Sequence, residues 1–449
     1  MNPLVELWQA LRHDHLLKRV LRNSTYLFSS NSASTLLNML QSILAARLLG
    51  VYELGVLGAI TSFASTLNRL FSFRMGELVV KYLGDYLPAQ KNEQAAAIVK
   101  VAAITEAISS LLAFTLLLLL APLGARYFAK DISYTPIFRF YALMVLGNLL
   151  SETAIGVLQS TNRFNQQALV NFIQSLLTAL LILAAFLLKG NLLMVVTAYL
   201  VGKLILGLAP VVLAWRSLKQ HLGGSWWRAS LKNLPPWREL ARFGISTNLS
   251  ATVNMLVRDS EVLWVALFLS PAAAGYYKVA IAISAFIPIP ITPFINTTFP
   301  EISRATAGRQ WSQLRSLLQR VTLLSALMTA AEALVLVVFG RMIILFYGAE
   351  YLPALPALMV LLLGYGVSNL FFWNRPLLLA FNLPTYPFWI TLISGAAKIS
   401  LAFLVIPKYG YIGAAALLTG YFLISGSLMA WRGLRQLKQA EALAPGGAL

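Results

Sequence analysis

The feature that most constrains this chain is a succession of about twelve largely apolar stretches, each near the twenty residues that carry a helix across ~30 Å of hydrocarbon. They fall at 25–48, 54–73, 97–121, 137–159, 168–188, 192–215, 243–269, 275–299, 317–339, 354–373, 386–406 and 411–431. The runs Leu116 to Leu120 and Leu361 to Leu363 show their composition. Lipid offers a backbone no outside hydrogen-bond partner, so spans must be helices or closed barrels. The alternating ten-residue pattern of a barrel is absent, and an all-α polytopic membrane protein is expected. Composition agrees. Charged residues make up 11% and mean hydropathy is +0.72, where a soluble domain carries about 25% charge. With no cysteine, a disulfide scaffold is excluded too.

Basic residues set the orientation. Lys and Arg number 23 in one alternate set of connections with the two termini, and six in the other. The richer set includes Arg74, Lys81, Lys91, Arg216, Arg228, Arg304, Arg309, Arg375 and Arg435. The poorer includes Arg47, Arg126, Lys130 and Lys408. The positive-inside rule then predicts a multi-pass protein of the inner membrane with both termini cytoplasmic. The net charge of +19 follows from that topology, and nucleic-acid binding is not expected because the cations are scattered over loops. Residues 1–24 read as an interfacial segment, with Leu4, Leu7, Trp8 and Leu11 on one helical face. Residues 216–242 form a basic linker flanked by Trp215, Trp226, Trp227 and Trp237, and 432–449 a cytoplasmic tail.

Polar residues at membrane depth turn toward protein or water. Asn31, Thr35, Asn38 and Ser42 in span one recur at helical spacing. So do Thr61, Ser65, Asn68 and Ser72 in span two. Span five carries Gln167, Asn171, Gln174 and Thr178, and span seven Thr247, Ser250, Asn254, Arg258 and Glu261. Each set makes one stripe. A single stripe reads equally well as glue between helices; four together predict a hydrated cavity. Arg69, Arg258, Lys278, Lys398 and Lys203 add deep cations, and a cationic cavity suits a diphosphate, which arginine engages through two parallel hydrogen bonds. The competing reading is an intramembrane ion pair, with Glu261 three residues after Arg258. Pro288, Pro290 and Pro293 predict a break in span eight.

A shift of 220 residues aligns Gly55 with Gly275, Tyr127 with Tyr347, Pro136 with Pro356, Leu158 with Leu378, and Asn162 with Asn382. Two parallel six-helix lobes are expected from this repeat, 25–215 and 243–431, with a central cavity between them. His13, His15 and His221 lie outside the spans, and no metal motif, nucleophilic triad, P-loop or dinucleotide fingerprint is present. No catalytic residue, metal or cofactor is therefore expected.

Four segments carry a family resemblance: Ala46-Arg47-Leu48-Leu49-Gly50 with Glu53-Leu54-Gly55, Leu158 through Phe164, Ala274 through Ala280, and Phe299 through Arg304. They resemble bacterial polysaccharide transporters, the lipid-linked oligosaccharide flippases of the multidrug/oligosaccharidyl-lipid/polysaccharide exporter superfamily. The likeness runs over roughly residues 23–431. It implies two lobes in a V, alternating access, and a cargo of polyprenyl-diphosphate-linked glycan moved from the inner to the outer leaflet. It also implies contact with membrane lipid and with glycan-assembly proteins. The resemblance further implies Arg69, Arg258 and Lys278 as counterparts of the family's diphosphate-binding cations. Asp259 and Glu261 are candidates for the coupling ion. The alternatives are a drug/cation antiporter of the same superfamily, which wants an acidic cavity, and an integral-membrane glycan polymerase or ligase, which needs a large outer loop.

Overall fold

The structure is a computed structural model that describes residues 15–73, 75–231 and 234–442. Among these the chain is helical from end to end. In order come α1 (His15–Phe71), α2 (Gly76–Tyr86), α3 (Asn92–Gly124), α4 (Thr135–Ala142), α5 (Met144–Gly147), α6 (Ser151–Ser160), α7 (Phe164–Leu187) and α8 (Leu192–Leu222). After them come α9 (Trp237–Asn254), α10 (Glu261–Phe268), α11 (Pro271–Ser284), α12 (Thr292–Ala307), α13 (Trp311–Tyr347), α14 (Leu355–Leu370), α15 (Asn374–Ala380) and α16 (Thr385–Ala442). Eight helical segments among the described residues are long and apolar enough to cross a membrane. Their exteriors are greasy: Leu119, Leu334, Leu363 and Leu404 are all exposed, as lipid-facing residues should be.

Two of those segments each hold two expected spans. α1 bends at Gly50 (φ 69°, ψ 177°), between stretches 25–48 and 54–73. α16 bends at Gly410 (φ 65°, ψ −156°), between 386–406 and 411–431. Both glycines occupy left-handed backbone that a side chain would strain. Other spans are broken. Stretch 137–159 is divided among α4, α5 and α6. Stretch 243–269 carries a π-turn over Met255–Asp259, and 275–299 is interrupted at 285–291, where Pro288 and Pro290 remove backbone donors.

Packing groups the chain into two units. The first holds Met1–Gln41, Leu67–Leu120 and Arg139–Leu249; the second holds Ser42–Thr66, Ala121–Phe138 and Ser250–Leu449. The first has a core of Leu78, Tyr82, Ile98, Val157 and Leu218. The second has one of Ile302, Leu314, Leu318, Leu377 and Leu437. Tyr82, Ile98 and Val157 stand 220 positions before Ile302, Leu318 and Leu377. The repeat thus extends from scattered identities to equivalent core positions.

The backbone repeats as well. Asn162 and Asn382, also 220 apart, both end a helix in left-handed conformation, at φ 57° and 59°. In each case the next amide reaches back to close the turn, Arg163 to the Leu158 carbonyl (2.7 Å) and Leu383 to the Leu378 carbonyl (2.9 Å). This is the cap in which a left-handed residue satisfies carbonyls left over at a helix end, and asparagine accepts that conformation more readily than most side chains.

Within the second unit the first-half segment 42–66 meets later helices at close quarters. A Cβ on Gly55 would sit 1.7 Å from the Pro271 carbonyl oxygen, and one on Gly275 would sit 2.2 Å from that of Val51. These repeat mates are glycine because two backbones touch there. Arg47 donates from Nε to the Phe346 carbonyl (2.6 Å) and from Nη2 to that of Leu345 (3.3 Å), capping the end of α13. Lys130 donates to the Leu267 carbonyl at the end of α10 (2.6 Å).

Candidate functional site

Arg258 emerges from the π-turn of span seven. A π-turn inserts a residue and rotates the rest of the helix, so it re-aims side chains that an unbroken helix would direct elsewhere. The guanidinium is exposed and stacks over the Phe422 ring, 5.0 Å from its centroid. It faces a cavity of about 370 Å³ within the second unit. Arg375 and Asn374 at the start of α15, Ser368, Thr391, Tyr421 and Ser425 complete the polar lining. Two guanidiniums, an amide, hydroxyls and an aromatic wall line this one pocket: guanidinium forks match phosphate oxygens in geometry, and the ring stabilises a cation through its π face.

Lys398 belongs to a different arrangement. Its ammonium is buried, forms an ion pair with Glu261 Oε1, and donates to the Val257 carbonyl in the π-turn. Tyr277 donates its hydroxyl to Glu261 Oε2 (2.8 Å). Gly395, one turn before Lys398, makes this possible, since a Cβ there would lie 2.3 Å from Val257 Cγ2. The partner of Glu261 is therefore Lys398, 137 residues away, and not Arg258 on its own helix; that local pairing is corrected by the structure. The physical reason is burial. Glu261 is 3% exposed and needs a buried counter-charge, whereas Arg258 reaches open space.

The other expected residues are spread more widely. Asp259 is exposed beside Arg258. The Lys278 stem lies against Gly58, whose added Cβ would stand 3.0 Å from its Cδ. Arg69 is exposed in the first unit, within electrostatic reach of Lys203. Asn68 accepts from the Ser72 hydroxyl (2.8 Å), Gln174 donates to Thr178 (3.1 Å), and Asn171 is half-buried. The side chains of Asn31, Thr247, Ser250 and Asn254 lie outside the described residues, as do 1–14 and 443–449.

Span one separates glue from stripe. Its bonds to α7 come from Ser30 to the Ala168 carbonyl (2.6 Å), Ser34 to that of Asn171 (3.3 Å) and Gln41 to that of Ser175 (2.9 Å). These residues precede Asn31, Thr35 and Ser42 by one position, about 100° around the helix. Asn38, on the stripe, is exposed. These three bonds come from positions beside the stripe, whose member Ser42 is itself buried.

Three contributors escaped sequence reading. Arg375 passes for a loop cation, because α15 is only seven residues and comes after a break. Glu106 is buried at 2% and accepts the Glu152 and Thr153 amides (2.8 and 2.9 Å), capping α6 inside broken span four. Asn369 donates to the Ile287 carbonyl (2.8 Å), exposed by the break in span eight. For Asn369 the advance signal was the prolines, which mark where a polar partner is needed; for Glu106 it was an acid at membrane depth.

Comparison with known proteins bears on this arrangement. A family model described as polysaccharide biosynthesis protein matches residues 20–306. The inner membrane protein YghQ of Escherichia coli (strain K12) is 24% identical over 345 residues, 76% of this chain and 96% of its own. An inward-facing multidrug resistance transporter of the MATE family, in the MOP superfamily, superposes with a TM-score of 0.72 at 13% identity, covering 92% of this chain and 96% of its own. The lipid II flippase MurJ, in an inward closed conformation, gives 0.71 at 16% identity, covering 92% and 89%. The fold is that of the MOP superfamily.

Proposed function

We propose, from the premise that this chain belongs to the polysaccharide biosynthesis protein family and is a membrane transport protein, that it is a flippase moving polyprenyl-diphosphate-linked oligosaccharide from the inner to the outer leaflet. The observation that carries the reading is the pocket in which Arg258 and Arg375 share a wall with Tyr421 and Phe422. In this reading the diphosphate is neutralised by the two guanidiniums. Lys278 adds positive charge in the same unit, Arg69 and Lys203 are candidate cations of the first unit, and the prenyl tail stays in lipid. Asn374, Thr391 and Ser425 give the sugar exchangeable hydrogen bonds, and Asn38, Asn68, Asn171 and Gln174 are polar candidates of the first unit.

In this reading the cargo site is exposed alternately to the two sides of the membrane. Asp259 and Glu261 are the coupling acids, and the membrane potential supplies ~2.3 kcal/mol per charge per 100 mV. The pairing of Glu261 with Lys398 makes the latter a counter-charge to the coupling acid and leaves the diphosphate to the arginines. The protein sits in the inner membrane with both termini cytoplasmic, in keeping with the basic-residue asymmetry and with the relative named for that membrane.

The test is transport in cells lacking the gene. Arg258→Ala and Arg375→Ala should each abolish surface glycan and strand lipid-linked glycan on the cytoplasmic leaflet, at normal protein level and melting temperature. Normal glycan display by both variants rejects the assignment. Drug resistance conferred by the wild-type chain, with no effect on glycan, favours the antiporter instead.

A further inference from the structure

A second cavity, of about 860 Å³, opens in the second unit beside the first turns of α13 and the last turns of α16. Its wall is apolar, built from Leu318, Leu323, Phe371, Trp373 and Leu434. Trp373 donates its indole N–H to the Thr322 hydroxyl (2.7 Å), so the floor keeps no unpaired indole donor. The rim is basic. Arg315, Arg435 and Lys438 all line it. Arg315 is engaged by Glu441 (2.9 Å), leaving three cations to one carboxylate. Trp431 is 58% exposed, with the Arg435 guanidinium 5.4 Å from its ring. This end of the two helices is the basic one, with Arg320 and Arg432 on them and Arg309 in the turn before α13.

We propose that this cavity holds an anionic bilayer phospholipid, its phosphodiester against Arg435 and Lys438 and an acyl chain in the well. Three features combine in that choice. An apolar well in a membrane-spanning bundle is filled most cheaply by hydrocarbon. An exposed tryptophan marks the depth at which head groups begin. The surplus positive charge selects anionic over zwitterionic lipid, because the ammonium of a zwitterion would face the rim cations. Basic pockets between spans on the cytoplasmic side have this chemistry generally. The site is separate in its lining residues from the Arg258 pocket and does not rest on the flippase reading.

The test uses the purified full chain, incubated with phosphatidylglycerol or phosphatidylcholine at equal loading, with retained lipid counted by native mass spectrometry. Phosphatidylglycerol should be retained preferentially. A basic residue near an anionic lipid is worth about fivefold in affinity, so R435Q/K438Q should lower retention roughly 25-fold at unchanged melting temperature. A second variant, Ala326→Trp, places an indole in the well and should weaken lipid retention while leaving the rim charges in place. Equal retention of both lipids, or unchanged retention in R435Q/K438Q and in A326W, overturns the proposal. Full displacement by glycerol 3-phosphate would reveal an anion site without a tail, and displacement by a polyprenyl diphosphate at equal concentration would make the cavity part of the transport path. Either result overturns it.

Discussion

At the scale of single residues, the most consequential contact is the buried triad of Lys398, Glu261 and Tyr277. A buried ion pair adds little net stability, because desolvating both charges offsets their attraction; removing one partner is another matter. Lys398→Met should cost about 3–5 kcal/mol by leaving Glu261 charged and alone, read as a lowered melting point in detergent. Tyr277→Phe removes one hydrogen bond to a carboxylate and should cost about 1.5–3 kcal/mol. The replacement of both Lys398 and Glu261 by apolar residues should recover most of the loss. If the single Lys398→Met variant melts like the parent, the pair is not the buried, mutually dependent one described above. Arg258, a few residues from Glu261 in sequence, should show no such penalty, since its guanidinium is exposed and rests on Phe422.

At the scale of elements, the broken spans carry the polar logic. A helix that starts inside a membrane bundle leaves amides without partners. In span four Glu106 supplies them from α3, and the neighbouring glycines let α2 and α6 approach: a Cβ on Gly156 would stand 2.7 Å from the Gly76 carbonyl oxygen. In span eight Asn369 plays the equivalent part for the Ile287 carbonyl. Glu106→Ala should therefore destabilise by about 1–3 kcal/mol and raise amide exchange at Glu152 and Thr153 specifically. Exchange that stays slow at those two amides in the variant would mean that something else caps α6. The caps at Asn162 and Asn382, by contrast, are made locally, by a left-handed asparagine at each helix end.

At the scale of the whole molecule, the absence of cysteine makes topology directly measurable. Single cysteines in place of exposed Ser225, in the basic linker, and exposed Ser133, in a sparsely charged connection, should label from opposite faces. In intact cells an impermeant maleimide should modify the cysteine at 133 and spare that at 225 until the membrane is opened. Labelling of both, or of 225 alone, would reverse or refute the orientation derived from 23 basic residues against six. The same scale shows why the packing units do not run in chain order. Segments 42–66 and 121–138 share a unit with 250–449, and Gly55, Arg47 and Lys130 supply its close backbone contact and helix caps.

The chain alone determined that it is helical, which stretches are apolar enough to span, which connections are basic, and that it repeats at 220 residues. Those properties come from length, hydropathy and loop charge, which act locally and are written in order along the polymer. It also exposed the prolines that break span eight, and it set the glycines at 50 and 410 between predicted stretches, where two long helices bend. Partnership was a different matter. Glu261 and Arg258 are near neighbours in sequence, yet the π-turn sends one into a buried pair with Lys398 and the other to a pocket shared with Arg375. Glu106, Asn369 and Arg375 took their roles only when distant helices came together. Periodicity tells which side of a helix a residue occupies; the counter-charge or carbonyl that meets it is set by the approach of another backbone, and that approach is a property of the packed bundle.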